Sequence, residues 1–144
     1  MFAIERQLFQ QFLILHRPYK QRFDMLLGQY SLSTYQWWAL VMLAEHQELM
    51  ASEMATMQCV EKPSMTKTLQ KLEQLQYVTA RVGEDKRQRL FRLSSTGVTL
   101  VKRVEQELLI DQKELLTNVT FEEMQTTIHV LQQISHHLKK EAIK

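Results

Sequence analysis

The 144-residue sequence predicts a mainly α-helical fold that carries one small β-wing. Three observations predict it. Glycine (3) and proline (2) are too scarce for the many tight turns of an all-β chain. Apolar residues recur at steps of three and four, the signature of helices buried on one side. Between Tyr77 and Leu93 the period changes to two, on either side of a charged tip. The length suits a single domain, 1–144, with a real core. No apolar run nears the roughly 18 residues of a membrane span, and residues 1–12 alternate polar and apolar side chains, unlike a signal peptide. The single cysteine, Cys59, offers no disulfide framework and fits a reducing cytoplasm. The expectation is a soluble, cytoplasmic, mostly helical domain with no membrane role.

In chain order, Leu8, Phe12, Leu15, Tyr19, Phe23 and Leu26 mark one face of a long first helix. Pro18 falls inside it and predicts a kink or short break, and Gly28 closes it as a cap. Ser33 and Gln36 have the spacing of a capping box, opening a helix to about His46. That helix is dense with Trp37, Trp38, Leu40, Val41, Leu43 and Ala44, which reads as core. Leu49-Met50 suits a minimal strand. Ser52 to Gln58 suits a short helix with Met54, Ala55 and Met57 inward, followed by a turn at Val60.

The next helix begins near Pro63, whose missing N–H costs nothing in a first turn. Met65, Leu69 and Leu72 form its apolar stripe. At about 100° per residue, Pro63, Lys67, Gln70 and Gln74 point the other way, with Ser64, Thr66 and Lys71 on the flanks. Such a face suits a major groove, because these side chains donate to phosphates and base edges without bulk. Two strands follow, Tyr77 to Val82 and Gln88 to Leu93, with Val78, Ala80 and Val82 on one face and Arg89, Phe91 and Leu93 on one face. The tip between them, Gly83 to Arg87, is polar and basic. An arginine there can enter a narrow minor groove, and Asp85, two residues earlier, can hold its guanidinium. Helix, turn, helix and hairpin in this order make a winged helix-turn-helix lobe, 31–96.

Beyond it, Ser94 to Gly97 opens a long helix with Val101, Val104, Leu108 and Leu115 on one side. Thr120 and Glu123 form a second capping box before a last helix carrying Phe121, Met124, Ile128, Leu131, Ile134 and Leu138. The terminal segments, 1–30 and 97–144, carry more apolar surface than one small lobe can cover and read as dimerisation helices.

Charge is uneven. From Lys62 to Arg92, eight basic side chains face three acidic ones, a local net charge of +5; ten against thirteen leave the remainder at −3. A basic block on a nearly neutral chain is the electrostatic footprint of a nucleic-acid reader.

At the lobe the sequence resembles the MarR family of bacterial winged-helix transcriptional regulators. The matching residues are Leu32-Ser33 with Gln36-Trp37, Met54-Ala55, and Pro63-Ser64-Met65-Thr66-Lys67 with Leu69 and Leu72. Asp85-Lys86-Arg87 matches at the wing tip, and Leu93-Ser94 with Gly97 beyond it. The chain departs from the family in having Gln76 where glycine is usual, Ala80 then Arg81 where an arginine comes early in the wing, and Met50 in place of a Ser/Thr cap. The resemblance implies a homodimer that sets two recognition helices in adjacent major grooves of a pseudo-palindromic operator on double-stranded DNA, most often as a repressor. Carried over by position, Lys62, Pro63, Ser64, Thr66 and Lys67 approach base edges and nearby phosphates, with Gln70 on the same face. Lys71 sits on the backbone, Ser33 and Gln36 lie near a phosphate at a helix N-terminus, and Arg87, beside Asp85, enters the minor groove. The resemblance also implies a small aromatic or amphipathic effector between the dimerisation helices and the lobe, where His16, Arg17, Tyr19 and Trp37 are candidate lining.

No nucleophile–base pair, acid pair or metal-ligand spacing marks an enzyme or a cofactor site. His129, His136 and His137 stand seven and eight residues apart, or adjacent, as surface histidines do. Two rival readings are a winged-helix module that binds protein, against which the polar face of Ser64, Lys67, Gln70 and Lys71 speaks, and a ligand or redox sensor with Cys59 as the switch.

Overall fold

The computed structural model describes residues 2–143; Met1 and Lys144, the ends of the 1–144 span, lie outside the described residues. The chain forms two compact units, residues 1–108 and residues 109–144.

In the first unit, α1 (Ile4–Gly28) runs through Pro18 as one helix, so of the kink or short break expected there the break does not occur. Pro18 removes the donor to the Ile14 carbonyl, but both residues are exposed, so water can satisfy that oxygen. Gly28 is the last helical residue and not a left-handed cap; the chain turns instead at Ser31 (φ 57°). The Ser33 capping box is present: Ser33 Oγ accepts from the Gln36 N–H at 3.1 Å, and Gln36 Oε1 accepts from the Ser33 N–H at 3.0 Å. It starts α2 (Thr34–His46), whose residues Trp37 and Ala39 to Leu43 are buried. Trp38, expected in the core, is 47% exposed. One residue on from Trp37 it is rotated by about 100° and leans on Phe23, ring centroids 6.5 Å apart. Ala44 is exposed as well.

The strand β1 (Leu49–Met50) leads into α3 (Ala51–Gln58). Met54 and Ala55 are buried, but Met57 is exposed, because a two-turn helix presents only one narrow side to the core. Cys59, left-handed at φ 56°, and Val60, whose N–H donates to the Ala55 carbonyl at 3.0 Å, make the turn. In α4 (Lys62–Gln74), Met65, Leu69 and Leu72 are at most 1% exposed, as their spacing requires. The helix closes through Gln76 at φ 65°, with the Tyr77 N–H donating to the Leu72 carbonyl at 3.0 Å. A glutamine thus holds the left-handed conformation at the position where the family customarily has glycine.

β2 (Val78–Val82) and β3 (Arg89–Leu93) pair antiparallel, and β1 adds to the far side of β3, giving the order β1-β3-β2. Val78 and Phe91 are buried, whereas Val82, toward the tip, is exposed despite its apolar character. The wing's base is locked by three residues. Ser94 Oγ donates to the Gln76 carbonyl at 2.7 Å and accepts from the Gly97 N–H at 3.0 Å. A Cβ at Gly97 would lie 2.1 Å from the Tyr77 carbonyl oxygen, so only glycine permits this approach of α5 (Ser95–Leu115). Val101, Val104 and Leu108 of α5 join one core with Leu27, Leu40, Leu43, Met54, Leu69 and Phe91. Helix α1 is tied to α2 by Thr34 Oγ1 donating to Asp24 at 2.7 Å, and the turn after α1 is tied to α5 by Tyr30 OH donating to Glu107.

The second unit holds the end of α5, a turn through left-handed Asn118, and α6 (Phe121–Ile143). Thr120 Oγ1 accepts from the Glu123 N–H at 3.1 Å and Glu123 Oε1 accepts from the Thr120 N–H at 2.9 Å, the expected box. Leu115 is exposed and so does not continue the buried row of Val101, Val104 and Leu108. Phe121, Ile128, Leu131 and Leu138 are between 42% and 69% exposed.

Candidate nucleic-acid interface

The α4 stripe is inward, so the opposite side of the helix is outward. Lys62, Pro63, Ser64, Lys67, Gln70 and Lys71 are all exposed, and Thr66 is half-buried beside them. Thr66 Oγ1 donates to the Lys62 carbonyl at 3.0 Å. Its hydroxyl proton is therefore engaged within its own helix, and its oxygen remains available as an acceptor. Proline early in α4 leaves the first turn's free N–H groups with one donor fewer. At the start of α2 the Gln36 amide oxygen and the Ser33 hydroxyl are occupied by the capping box, while the Gln36 NH₂ is not part of it.

The wing tip is an ordered turn. Gln88 donates its N–H to the Asp85 carbonyl at 2.9 Å, and Gly83 donates its own to the Gln88 carbonyl at 2.9 Å. The Asp85 carboxylate accepts the backbone N–H of Arg87 at 3.0 Å, correcting the expectation that it grips the guanidinium. An Asx-type contact of this kind fixes the turn and leaves the Arg87 side chain exposed.

Electrostatically, the basic block is not uniform. Arg81 makes a bidentate pair with Glu48, Nε to Oε2 at 2.8 Å and Nη2 to Oε1 at 2.6 Å. The guanidinium beside it holds the Glu48 carboxyl below its ordinary range, and the carboxylate raises Arg81 in turn. Arg89 Nη2 lies 3.3 Å from both oxygens of Glu73. Two of the eight cations counted from sequence are therefore neutralised within the chain. Among the described residues the other six, Lys62, Lys67, Lys71, Lys86, Arg87 and Arg92, make no ion pair; the first five lie on the outer side of α4 and at the tip, and Arg92 lies on the last of the three strands.

Of the residues proposed from sequence for an effector, three lie on α1 and the fourth in the core of α2. His16 and Arg17 are exposed on α1, with the His16 ring stacked on Phe12 at 6.0 Å. Tyr19 is half-buried with its ring 6.0 Å from Phe23, and Trp37 is a core residue, 3% exposed. It is Trp38 that opens to a cleft of about 310 Å³, with Tyr35, Met42, Met57 and Gln58 around it. Gln58 Oε1 is buried there without a hydrogen-bond partner. Apolar spacing does not separate the two tryptophans, since Leu40 and Val41 follow Trp37 at three and four residues, Val41 and Met42 follow Trp38 likewise, and all three are buried. Cys59 is exposed. Among the described residues no group of three His, Cys, Asp or Glu side chains gathers as a metal site, and no helix is long and apolar enough to cross a membrane.

Two packed helices with an outward polar face, followed by a braced hairpin with a basic tip, define a winged helix-turn-helix DNA-binding protein. Comparison with known proteins agrees. The MarR family profile matches residues 32–88. An HTH-type transcriptional regulator of Staphylococcus aureus is 31% identical over 96% of this chain and 97% of its own length. The structure of Staphylococcus aureus MarR in complex with salicylate and kanamycin superposes with a TM-score of 0.86 at 30% identity, covering 96% of this chain and 94% of that one. An E. coli MarR mutant complexed with operator DNA has the same fold, TM-score 0.76 at 19% identity over 89% and 93%. The chain belongs to the MarR family of helix-turn-helix transcriptional regulators.

Proposed function

We propose that the chain is a repressor that binds a pseudo-palindromic operator as a homodimer and releases it when a small effector binds. The observation that carries the DNA reading is the distribution of unpaired cations. Lys62, Lys67 and Lys71 line the outer side of α4 and Lys86 and Arg87 the wing tip, whereas Arg81 and Arg89 are neutralised behind them. In this reading α4 enters the major groove, where Pro63, Ser64, Thr66 and Gln70 meet base edges and Lys62, Lys67 and Lys71 reach bases or phosphates. With its hydroxyl proton on the Lys62 carbonyl, Thr66 acts as an acceptor, for example of an exocyclic amine. Ser33 and Gln36 present the α2 N-terminus to a phosphate. Arg87, on a turn fixed by Asp85, enters the minor groove.

The dimer reading assigns 31–96 to the lobe and 1–30 and 97–144 to the partner contact. It is supported by exposed apolar residues on α1 (Leu8, Phe9, Phe12, Leu13, Leu15) and on α6 (Phe121, Ile128, Leu131, Leu138). An effector acts by binding one spacing of the two lobes better than the other. Salicylate bound to the Staphylococcus aureus relative supports an aromatic anion as its class, with His16, Arg17 and Tyr19 on α1 and the tryptophan pair of α2 as the region to probe. Exposure of Cys59 at the turn before α4 supports a second reading, in which its oxidation weakens DNA binding; Cys59→Ser would then make the complex insensitive to peroxide.

The test is a salt titration of duplex binding. Several phosphate contacts require log Kd to rise steeply with log salt. A flat response would overturn the DNA reading.

A further inference from the structure

The two neutralised arginines of the wing stand on adjacent rungs of one ladder. Val82 pairs with Arg89, and Arg81 pairs with Leu90. Successive residues of a strand point to opposite faces, so Arg81 and Arg89 leave the hairpin on opposite sides. Each meets an acid from a different element. Arg81 is held in a fork by Glu48, in the short link between α2 and β1, and Arg89 by Glu73, on the last turn of α4. All four side chains are within the first compact unit.

Stability does not explain the arrangement. Both arginines are 55% exposed and their carboxylate partners 27% and 30%, and exposed pairs of this kind add little to folding free energy. Nor does solubility, because an acid at position 73 sits on the very helix whose outer side is basic and so opposes a polyanion. What a pair on each face can do is fix the angle of the β2–β3 ribbon, adding side-chain ties to the lock at Ser94 and to the β1 pairing at Phe91 and Leu90. Beyond Val82 and Arg89 the ladder gives way to the turn closed by the Gly83 N–H on the Gln88 carbonyl, and Arg87 lies in that turn two residues before Arg89. A small rotation of the ribbon at these rungs moves the tip laterally.

We infer that Glu73 and Glu48 are positioning residues for DNA recognition: with Arg89 and Arg81 they clamp the wing from both faces and set Arg87 in register with α4. This rests on the DNA reading above. Glu73 thereby couples the two reading elements directly, one end on the recognition helix and the other on the wing.

The test uses the full chain and a duplex selected from random DNA by the wild type, with an unrelated duplex as the non-specific probe. Glu73→Gln and Glu48→Gln should each lower affinity for the selected duplex roughly three- to tenfold. Affinity for the unrelated duplex should stay the same or rise, since a negative charge has been removed. The exchanged pair, Glu73→Arg with Arg89→Glu, should recover most of the loss of Glu73→Gln. Amide relaxation should show Lys86 and Arg87 more mobile in Glu73→Gln and Glu48→Gln, with the helical CD spectrum and melting temperature unchanged. If Glu73→Gln tightens both duplexes alike, only repulsion was removed and the clamp is wrong; failure of the exchanged pair to recover specificity overturns it too. Were the wild type to select no duplex at all, the DNA reading itself would fail, which is a distinguishable result.

Discussion

Helices α4 and α6 are patterned alike, with apolar residues at steps of three and four, yet they meet opposite fates. In α4 the stripe of Met65, Leu69 and Leu72 is at most 1% exposed, because α2, α3 and the wing close over it. In α6 the row from Phe121 through Ile128 and Leu131 to Leu138 stands in solvent, as does much of the N-terminal half of α1. An amphipathic helix acquires most of its stability from whatever covers its apolar side. The lobe's stripe is thus covered from within its own unit, whereas the exposed rows of α1 and α6 are those that the proposed dimer would cover. The polar faces divide as well. That of α4 carries unpaired cations beside a basic wing, and that of α6 carries Glu122 and Glu123 at its start and Lys139 and Lys140 near its end, as helix-dipole compensation requires.

The largest expected effect comes from attacking the two stripes in parallel. Leu69→Ala should cost about 2–5 kcal/mol of lobe stability in a denaturant titration. Leu131→Ala should leave the lobe's unfolding midpoint nearly unmoved at high protein concentration while shifting sedimentation toward the monomer on dilution. Equal, concentration-independent losses from both would erase the contrast. Next comes Arg87→Ala, expected to weaken operator binding by about 1–3 kcal/mol with the CD spectrum intact.

These two regions also differ in how much of them could be read from sequence. The stripe and outer side of α4 follow from local periodicity, and both capping boxes follow from a four-residue spacing, so they were legible. The partners of Arg81 and Arg89 were not, because Glu48 and Glu73 lie 33 and 16 residues away and meet them only after the strands pair. Charge counting therefore overstated the free cations of the block. Trp38 and Met57 were misplaced inward because short apolar runs do not specify which side faces the core. Pro18 predicts a kink or a short break, and the break is absent from a helix that carries it on an exposed side. At Gln76 the departure from the family pattern was visible as a residue, but the left-handed geometry that it must adopt was not.

That geometry gives a smaller prediction. A non-glycine residue at φ 65° costs about 1–2 kcal/mol, partly offset by the greater freedom glycine has when unfolded. Gln76→Gly should therefore stabilise the lobe by up to about 1 kcal/mol, read as a rise in melting temperature. The smallest effect concerns the α6 cap. The backbone and hydroxyl of Thr120 hold the Glu123 carboxyl below its ordinary range. Its contribution is thus fully present above the unfolded carboxylate pKa and is lost as pH falls through the lowered folded value. Amide exchange at Thr120 should accelerate in that acid window and become pH-independent there, beyond the intrinsic chemistry, in Glu123→Gln.

In the arrangement we propose, a reading lobe formed within one chain is paired with a second through helices whose apolar rows stand exposed in the single chain. Sedimentation or native mass measurement of the saturated complex with a selected operator tests it most directly. Two chains per duplex, with a dimer already present before DNA is added, is the result expected; one chain per duplex from a monomeric protein would contradict it.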